Sequence, residues 1–317
     1  MINIGDWNPP EKKYCVFFGA GFSKWASGLP TAPGLFDFKI RIWGVREQRK
    51  LNQIKHIKTI WDVTNPNGTS EEFIKQLIES SPEENKLITW YVARRLTDPF
   101  IWYTDYGRRS VLSIDDKRII SFKGVTKAKS FIDSIAGPDL TGILTTNYDL
   151  LIEYSLGTDN FNYGTRFQEL HGKGRYPFTT YRTGPVQAKG NITLIKLHGS
   201  ISLTDKGYCT DGRGGITGKA RFIPPTQNKQ ILDFIAPEWE NAKIILKKSA
   251  SIVFFGFAFN QYDQNILDLF QETESWIKKI VLINTNTRVV PFAQKIWPNA
   301  EILLIHPDDL QKCPLPL

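Results

Sequence analysis

Tyr14-Cys15-Val16-Phe17-Phe18-Gly19-Ala20-Gly21-Phe22-Ser23 is the stretch on which the fold turns. Its first five residues are apolar and aromatic, the composition of a strand. The small residues that follow make a turn, and the chain then enters a short helix. A strand, a glycine turn and a helix in succession suit diphosphate binding. Small residues let backbone N–H groups approach phosphate oxygens, and the helix N-terminus adds favourable polarity. GxGxS is shorter than the dinucleotide fingerprint GxGxxG, and tight-turn glycines alone would also explain it. The acidic residue that follows the second strand of a conventional dinucleotide fold has no firm counterpart.

From about Phe36 to Ile135 apolar residues recur at three- and four-residue spacings, as in Phe73, Leu77, Ile78 and in Leu87, Trp90, Tyr91, which predicts amphipathic helices. Ser70 followed by Glu71 and Glu72 reads as a helix start. Beyond this layer, Gly142–Thr145, Ile192–Leu197, Ser251–Phe255, Ile280–Ile283 and Glu301–Ile305 are short strand candidates separated by helix-length segments. This alternation predicts an α/β fold, a Rossmann-like, doubly wound, mostly parallel sheet with a large helical insertion at about 36–135 between the first and second strands. The glycine-rich stretches Gly157–Gly190 and Lys206–Gly218 read as loops over the carboxyl ends of strands. No internal repeat or low-complexity tract is present.

At 317 residues, 41% hydrophobic and 23% charged, the chain can bury a substantial core in one large domain or two unequal ones. A single domain over 1–317 is the expectation. The N-terminus has no apolar stretch with a small-residue cleavage site, and no segment approaches the ~18 apolar residues of a membrane span, so a cytoplasmic protein without membrane contact is expected. Cys15, Cys209 and Cys313 are far apart with no CxxC pair, which provides neither a disulfide framework nor a four-cysteine zinc site. The net charge of +8 would attract nucleic acid or an acidic partner. Clusters such as Arg46-Glu47-Gln48-Arg49-Lys50 mix in acids and polar residues, as solvated faces also do.

Two polar segments fall at strand ends, where α/β sheets collect ligands: Leu144-Thr145-Thr146-Asn147-Tyr148-Asp149 and Lys196-Leu197-His198-Gly199-Ser200. A lone Asn can be a loop hydrogen-bonder and a lone His a satisfied core residue. Together beside a glycine turn they are candidate site residues.

On these motifs, taken in order, the chain resembles the sirtuin-like superfamily, specifically its bacterial zinc-free branch of NAD-consuming domains associated with anti-phage defence. Gly19–Ser23 resembles the family's GAGxS phosphate loop, Thr145–Asp149 its T-x-N-x-D segment, and His198-Gly199 its catalytic His-Gly. Ile223-Pro224-Pro225-Thr226 with Lys229 is similar to a proline-bearing segment downstream. Gly256-Phe257-Ala258-Phe259-Asn260 with Asp263 resembles the glycine pattern near the adenosine, and Ile283-Asn284 the asparagine that meets the adenosine ribose. The resemblance implies that NAD⁺ is the substrate, that Asn147 positions the reactive ribose and its water, and that His198 is the general base. It implies further that Asp149 meets the nicotinamide carboxamide, and that Gly19, Ala20, Gly21, Phe22, Ser23, Thr146, Gly256, Phe257 and Asn284 complete the binding site. No metal is implied.

The sequence departs from protein deacylases of this superfamily in two places. Their four-cysteine zinc ribbon is missing, since Lys206–Arg221 contains only Cys209, and Gly28–Phe36 replaces their Pro-Asp-Phe-Arg loop. Tyr148 stands where a small apolar residue is usual. The implied reaction is therefore hydrolysis of NAD⁺ to ADP-ribose and nicotinamide. ADP-ribosyl transfer, or a nucleic-acid-processing or binding subunit of a defence complex, are the alternatives. The resemblance also implies a homo-oligomer activated by a separate partner, such as a HerA-type hexameric ATPase or a short Argonaute, with nucleic acid met indirectly. Trp43, Trp61, Trp90 and Trp102 of the insertion are candidates for the contact surface, with core packing as the alternative.

Overall fold

The computed structural model describes residues 13–42, 44–103, 109–112, 114, 116–164, 190–204, 207–208, 221–223, 231, 233–310 and 315. Its centre is a seven-stranded sheet: β1 (Tyr14–Phe18), β2 (Leu140–Thr145), β3 (Phe161–Asn162), β4 (Ile192–Lys196), β5 (Ser251–Phe255), β6 (Lys279–Ile283) and β7 (Glu301–Ile305). The spatial order is β7-β6-β5-β1-β2-β4-β3, and every neighbouring pair is parallel. The chain leaves β1 toward β2 on one side and later returns to add β5 on the other. The sheet thus has its topological switch at β1, where α/β folds open a crevice at the carboxyl ends of the strands.

Adjacent residues of β1 show why a wholly apolar strand is needed there. The Phe17 ring lies 4.9 Å from Phe257 and 5.1 Å from Phe270, whereas the Phe18 ring lies 4.1 Å from Phe22 and 6.1 Å from Phe131. Successive side chains of a strand point to opposite faces. Phe22 belongs to α1 (Ala20–Ser27) and Phe131 to α5 (Lys123–Ile135), while Phe270 belongs to α8 (Gln264–Gln271). Helices therefore cover both faces and all five β1 residues are buried, the arrangement expected of a doubly wound sheet.

The insertion between β1 and β2 comprises α2 (Val45–Thr64), α3 (Ser70–Ser80), α4 (Pro82–Thr97) and α5. It also holds a two-stranded hairpin, Ile101–Tyr103 with Arg109–Val111, that helical periodicity did not predict. Helix α3 starts at Ser70, but its cap is Thr69. The Thr69 side chain accepts from the Glu72 amide, and the Glu72 carboxylate accepts from the Thr69 amide, a reciprocal capping box. Phe73, Leu77, Leu87, Trp90 and Tyr91 are buried as their spacing predicts, and Ile78 is partly buried.

Of the two readings of the insertion's tryptophans, core packing holds for Trp61 and Trp90, while Trp43 and the side chain of Trp102 lie outside the described residues. The stretch expected as a loop from Gly157 contains the edge strand β3, whose residues pair with Ile192 and Thr193. Of Lys206–Gly218, Gly207–Tyr208 forms a short antiparallel pair with Leu203–Thr204. The rest, like Pro224–Lys229, lies outside the described residues. No helix among the described residues is long and apolar enough to cross a membrane.

Candidate functional site

A cavity of about 540 Å³ opens at the carboxyl ends of β1, β2 and β5, within the range of small-molecule and cofactor sites. Its lining joins distant parts of the chain, among them the glycine turn and start of α1, Pro30–Leu35, the end of β2, His198 after β4, and the turns after β5 and β6.

The floor is made where two backbones cross. Gly21 donates its amide hydrogen to the Gly256 carbonyl at 2.9 Å. A Cβ on Gly19 would fall 2.5 Å from the Gly256 oxygen, one on Gly21 2.6 Å from Gly256 Cα, and one on Gly256, where φ is +67°, 2.3 Å from the Phe22 nitrogen. These glycines are required by close approach of chain to chain. Gly19 N–H donates to Phe255 O and Phe22 N–H to Gly19 O, so three of the turn's amides already have acceptors. What the turn offers an anion therefore narrows to the Ala20 amide and the polarity of the α1 N-terminus. Neither Gly19 nor Phe22 lines the cavity: the Gly19 carbonyl faces Asn147, and the Phe22 ring turns into the core.

Asn147, Ser23 and Asp149 form one buried chain. Asn147 Nδ2 donates to Gly19 O at 3.0 Å and to Ser23 Oγ at 3.1 Å, and Ser23 Oγ donates to Asp149 Oδ2 at 2.9 Å. The Gly19 oxygen can only accept, which fixes the orientation of the amide. Both Asn147 amide hydrogens are thus committed, and the group left for a ligand is Oδ1, an acceptor. Asp149 Oδ1 accepts from the Leu151 amide at 2.9 Å, at the start of α6 (Leu151–Leu156). Thr146, also on the cavity wall, is held by its amide to Phe18 O at 3.3 Å.

His198 is buried and lines the cavity, its Nε2 3.9 Å from Asp263 Oδ1. The motif containing Asp263 pointed to the adenosine end of a ligand; the structure brings this carboxylate to the histidine. The Tyr148 ring lies nearly parallel to the imidazole at 6.2 Å and leans on Phe222 at 5.2 Å. Loss of hydration pushes the Tyr148 hydroxyl well above its ordinary value, and Asp263 and Glu71 add to the shift, so it remains a donor at neutral pH.

Asn284 donates through Nδ2 to Phe257 O at 2.9 Å and accepts the Asn286 amide on Oδ1 at 3.0 Å, which ties the turns after β5 and β6 together. Phe257 closes the wall, its ring 4.9 Å from Phe259, whose positive φ of 52° marks a tight reversal. From the insertion, Glu71, Val92 and Leu96 also reach the cavity. Glu71 had been read only as part of a helix start. The insertion also holds Pro30–Leu35 in place, since Tyr91 Oη donates to Leu35 O at 2.7 Å and Arg95 pairs with Asp37 at 3.0 Å. Cys15, buried in β1 with its thiol pushed up to about 12 by burial, is not available as a nucleophile. Among the described residues no group of three or more His, Cys, Asp or Glu is arranged to hold a metal ion.

Residues 141–288, which carry β2 to β6 with Asn147, Asp149, His198, Gly256 and Asn284, match the family model of the SIR2-like domain. Among solved structures, a mutant Sir2 homologue in complex with 2′-O-acetyl ADP ribose aligns at 14% identity over 92% of this chain and 86% of that one, with a TM-score of 0.46. A Sir2 homologue in complex with NAD aligns at 14% identity over 92% and 83%, with a TM-score of 0.42. No curated protein matches the chain.

Proposed function

We propose that this chain is an NAD⁺ glycohydrolase, a single NAD-binding domain that cleaves the nicotinamide–ribose bond to give ADP-ribose, nicotinamide and a proton. The observation that carries this reading is the convergence of Asn147, Asp149 and His198 on one cavity beside the β1 glycine turn. The SIR2-like match over the segment bearing those residues supports it.

The chemistry asks little beyond placement. As the bond between the anomeric carbon and the ring nitrogen breaks, its electron pair neutralises the pyridinium, and the positive charge passes to the ribose. Carboxylate and amide dipoles fixed around that carbon stabilise the developing oxocarbenium ion. Asn147 Oδ1 accepts a hydrogen bond from a ribose hydroxyl or the attacking water, because its amide hydrogens are already engaged. The water oxygen bonds to the anomeric carbon and gives its proton to His198, with Asp263 facing the imidazole. The test is chromatography of NAD⁺ incubated with the purified chain. Equimolar nicotinamide and ADP-ribose support hydrolysis, whereas nicotinamide with labelled protein signifies ADP-ribosyl transfer.

On the sequence resemblance alone we also propose a cytoplasmic role in anti-phage defence, as a homo-oligomer whose NAD⁺ depletion is switched on by a HerA-type ATPase or a short Argonaute.

A further inference from the structure

Lys196 stands two residues before His198 and is wholly buried, as is its partner Glu153 on α6; Lys196 Nζ lies 2.7 Å from Glu153 Oε1. The same ammonium donates to the backbone carbonyl of Asp149. Tyr163 Oη also donates to Glu153 Oε1 at 3.3 Å, while Glu153 Oε2 has no hydrogen-bond partner among the described residues. An ion pair placed so deep loses the hydration of both charges, and apolar residues of similar size often match it in stability. The pair is thus a poor device for stability alone, and its location directs attention to what it holds.

The Tyr148 carbonyl accepts from Ile201 N–H at 3.0 Å and from Ser200 Oγ at 3.2 Å. With Lys196 on the Asp149 carbonyl, two successive carbonyls of the turn that carries Asn147 and Asp149 are held by the segment that carries His198. We propose that the Lys196–Glu153 pair is a positioning device for the reaction, fixing the Asn147–Asp149 turn relative to His198. This inference rests on the NAD⁺-cleaving reading of the cavity. Glu153 holds the ammonium, and the ammonium holds the turn, so neither residue touches substrate.

The test compares the wild-type chain with Lys196→Met and with the double variant Lys196→Met/Glu153→Leu, in which no charge is left unpaired. A misplacement of about 1 Å can cost about 10²-fold in rate. The double variant is expected to keep a melting temperature close to wild type and a KM for NAD⁺ within about threefold, while kcat for nicotinamide release falls about ten- to a hundredfold. Hydrogen exchange of the peptide covering Thr145–Leu150 in the ligand-free protein is expected to quicken. Unchanged kcat, or unchanged exchange, overturns the inference. So does a melting temperature that falls in step with activity, since the pair then serves only the fold. If the wild type releases no nicotinamide, the reading of the reaction fails by itself, and the exchange comparison still decides whether the pair holds the turn.

Discussion

Asn147 Nδ2 donates to the Gly19 carbonyl at 3.0 Å, joining the end of β2 to the end of β1 through a side chain that also lines the cavity. One residue thereby closes the crevice between two parallel strands and presents its remaining oxygen to a ligand. Structure and chemistry share this side chain, and variants at the site divide according to which of the two they disturb.

Asn147→Ala and His198→Ala are expected to fold and to lose nicotinamide release by about 10²–10⁴-fold, the usual cost of a missing base or orienting group. Asn147→Asp is expected to be less stable than the wild type as well as inactive, because a carboxylate oxygen then faces the Gly19 carbonyl with no hydrogen to share. Circular dichroism with chromatography of NAD⁺ products checks both. Full activity in the alanine variants would show that the site is misassigned.

Gly28 and Gly256 provide a matched pair. Both have positive φ, +70° and +67°, but a Cβ on Gly28 meets nothing within 4 Å, whereas one on Gly256 meets the Phe22 nitrogen at 2.3 Å. Gly28→Ala should cost about 1–2 kcal/mol, the left-handed backbone alone. Gly256→Ala adds a collision between two backbones and should reach about 4 kcal/mol or more, the exceptional range for one substitution. Urea denaturation of the two variants measures the difference; equal losses would mean that the crossing is loose.

Glu238, at the N-terminal end of α7 (Ala236–Lys247), accepts from Tyr208 Oη at 3.0 Å. Burial pushes its carboxyl well above the ordinary 4.5, against the lowering influence of Tyr208 and Lys196. As pH rises past the ordinary value, the unfolded chain releases this proton while the folded protein retains it. Stability from this group is therefore complete below the ordinary value and declines toward the raised one. Glu238→Gln removes the titration, so its melting temperature relative to wild type should improve as pH rises above 4.5. A variant melting temperature that falls relative to wild type as pH rises would reverse the assignment.

The chain alone is expected to self-associate and turn over NAD⁺ slowly, with faster turnover in the presence of its activating partner. Light scattering and nicotinamide release, measured with and without the product of a neighbouring open reading frame, check this. A monomer at full rate unaided would refute it.

The sheet was legible because its strands are continuous apolar runs, as at Tyr14–Phe18 and Ser251–Phe255, and a strand covered on both faces has no polar side to confuse the pattern. β3 was not, since two residues, Phe161 and Asn162, make no period. In the site, Asn147, Asp149 and His198 stood out as polar residues at the ends of apolar runs. Glu71 did not, because an acid in the first turn of a helix already has a local explanation. Lys196 was also hidden, as a cation beside a strand end reads as solvent-facing until its burial against Glu153 is seen. The crossing of Gly21 and Gly256 is a contact between distant parts of the chain, and no local pattern reports it.

Because β1 is flanked by β2 and by β5, its pairing depends on partners synthesised much later: Tyr14 lies in register with Leu140 on one side and Ser251 on the other. Closing such wide loops is slow, since their entropy is lost before the contacts repay it. A chain still on the ribosome with Gly256 not yet made has the β1 glycine turn but lacks the backbone that seats it. The order of synthesis thus withholds the finished cavity until the turns after β5 and β6 have been made.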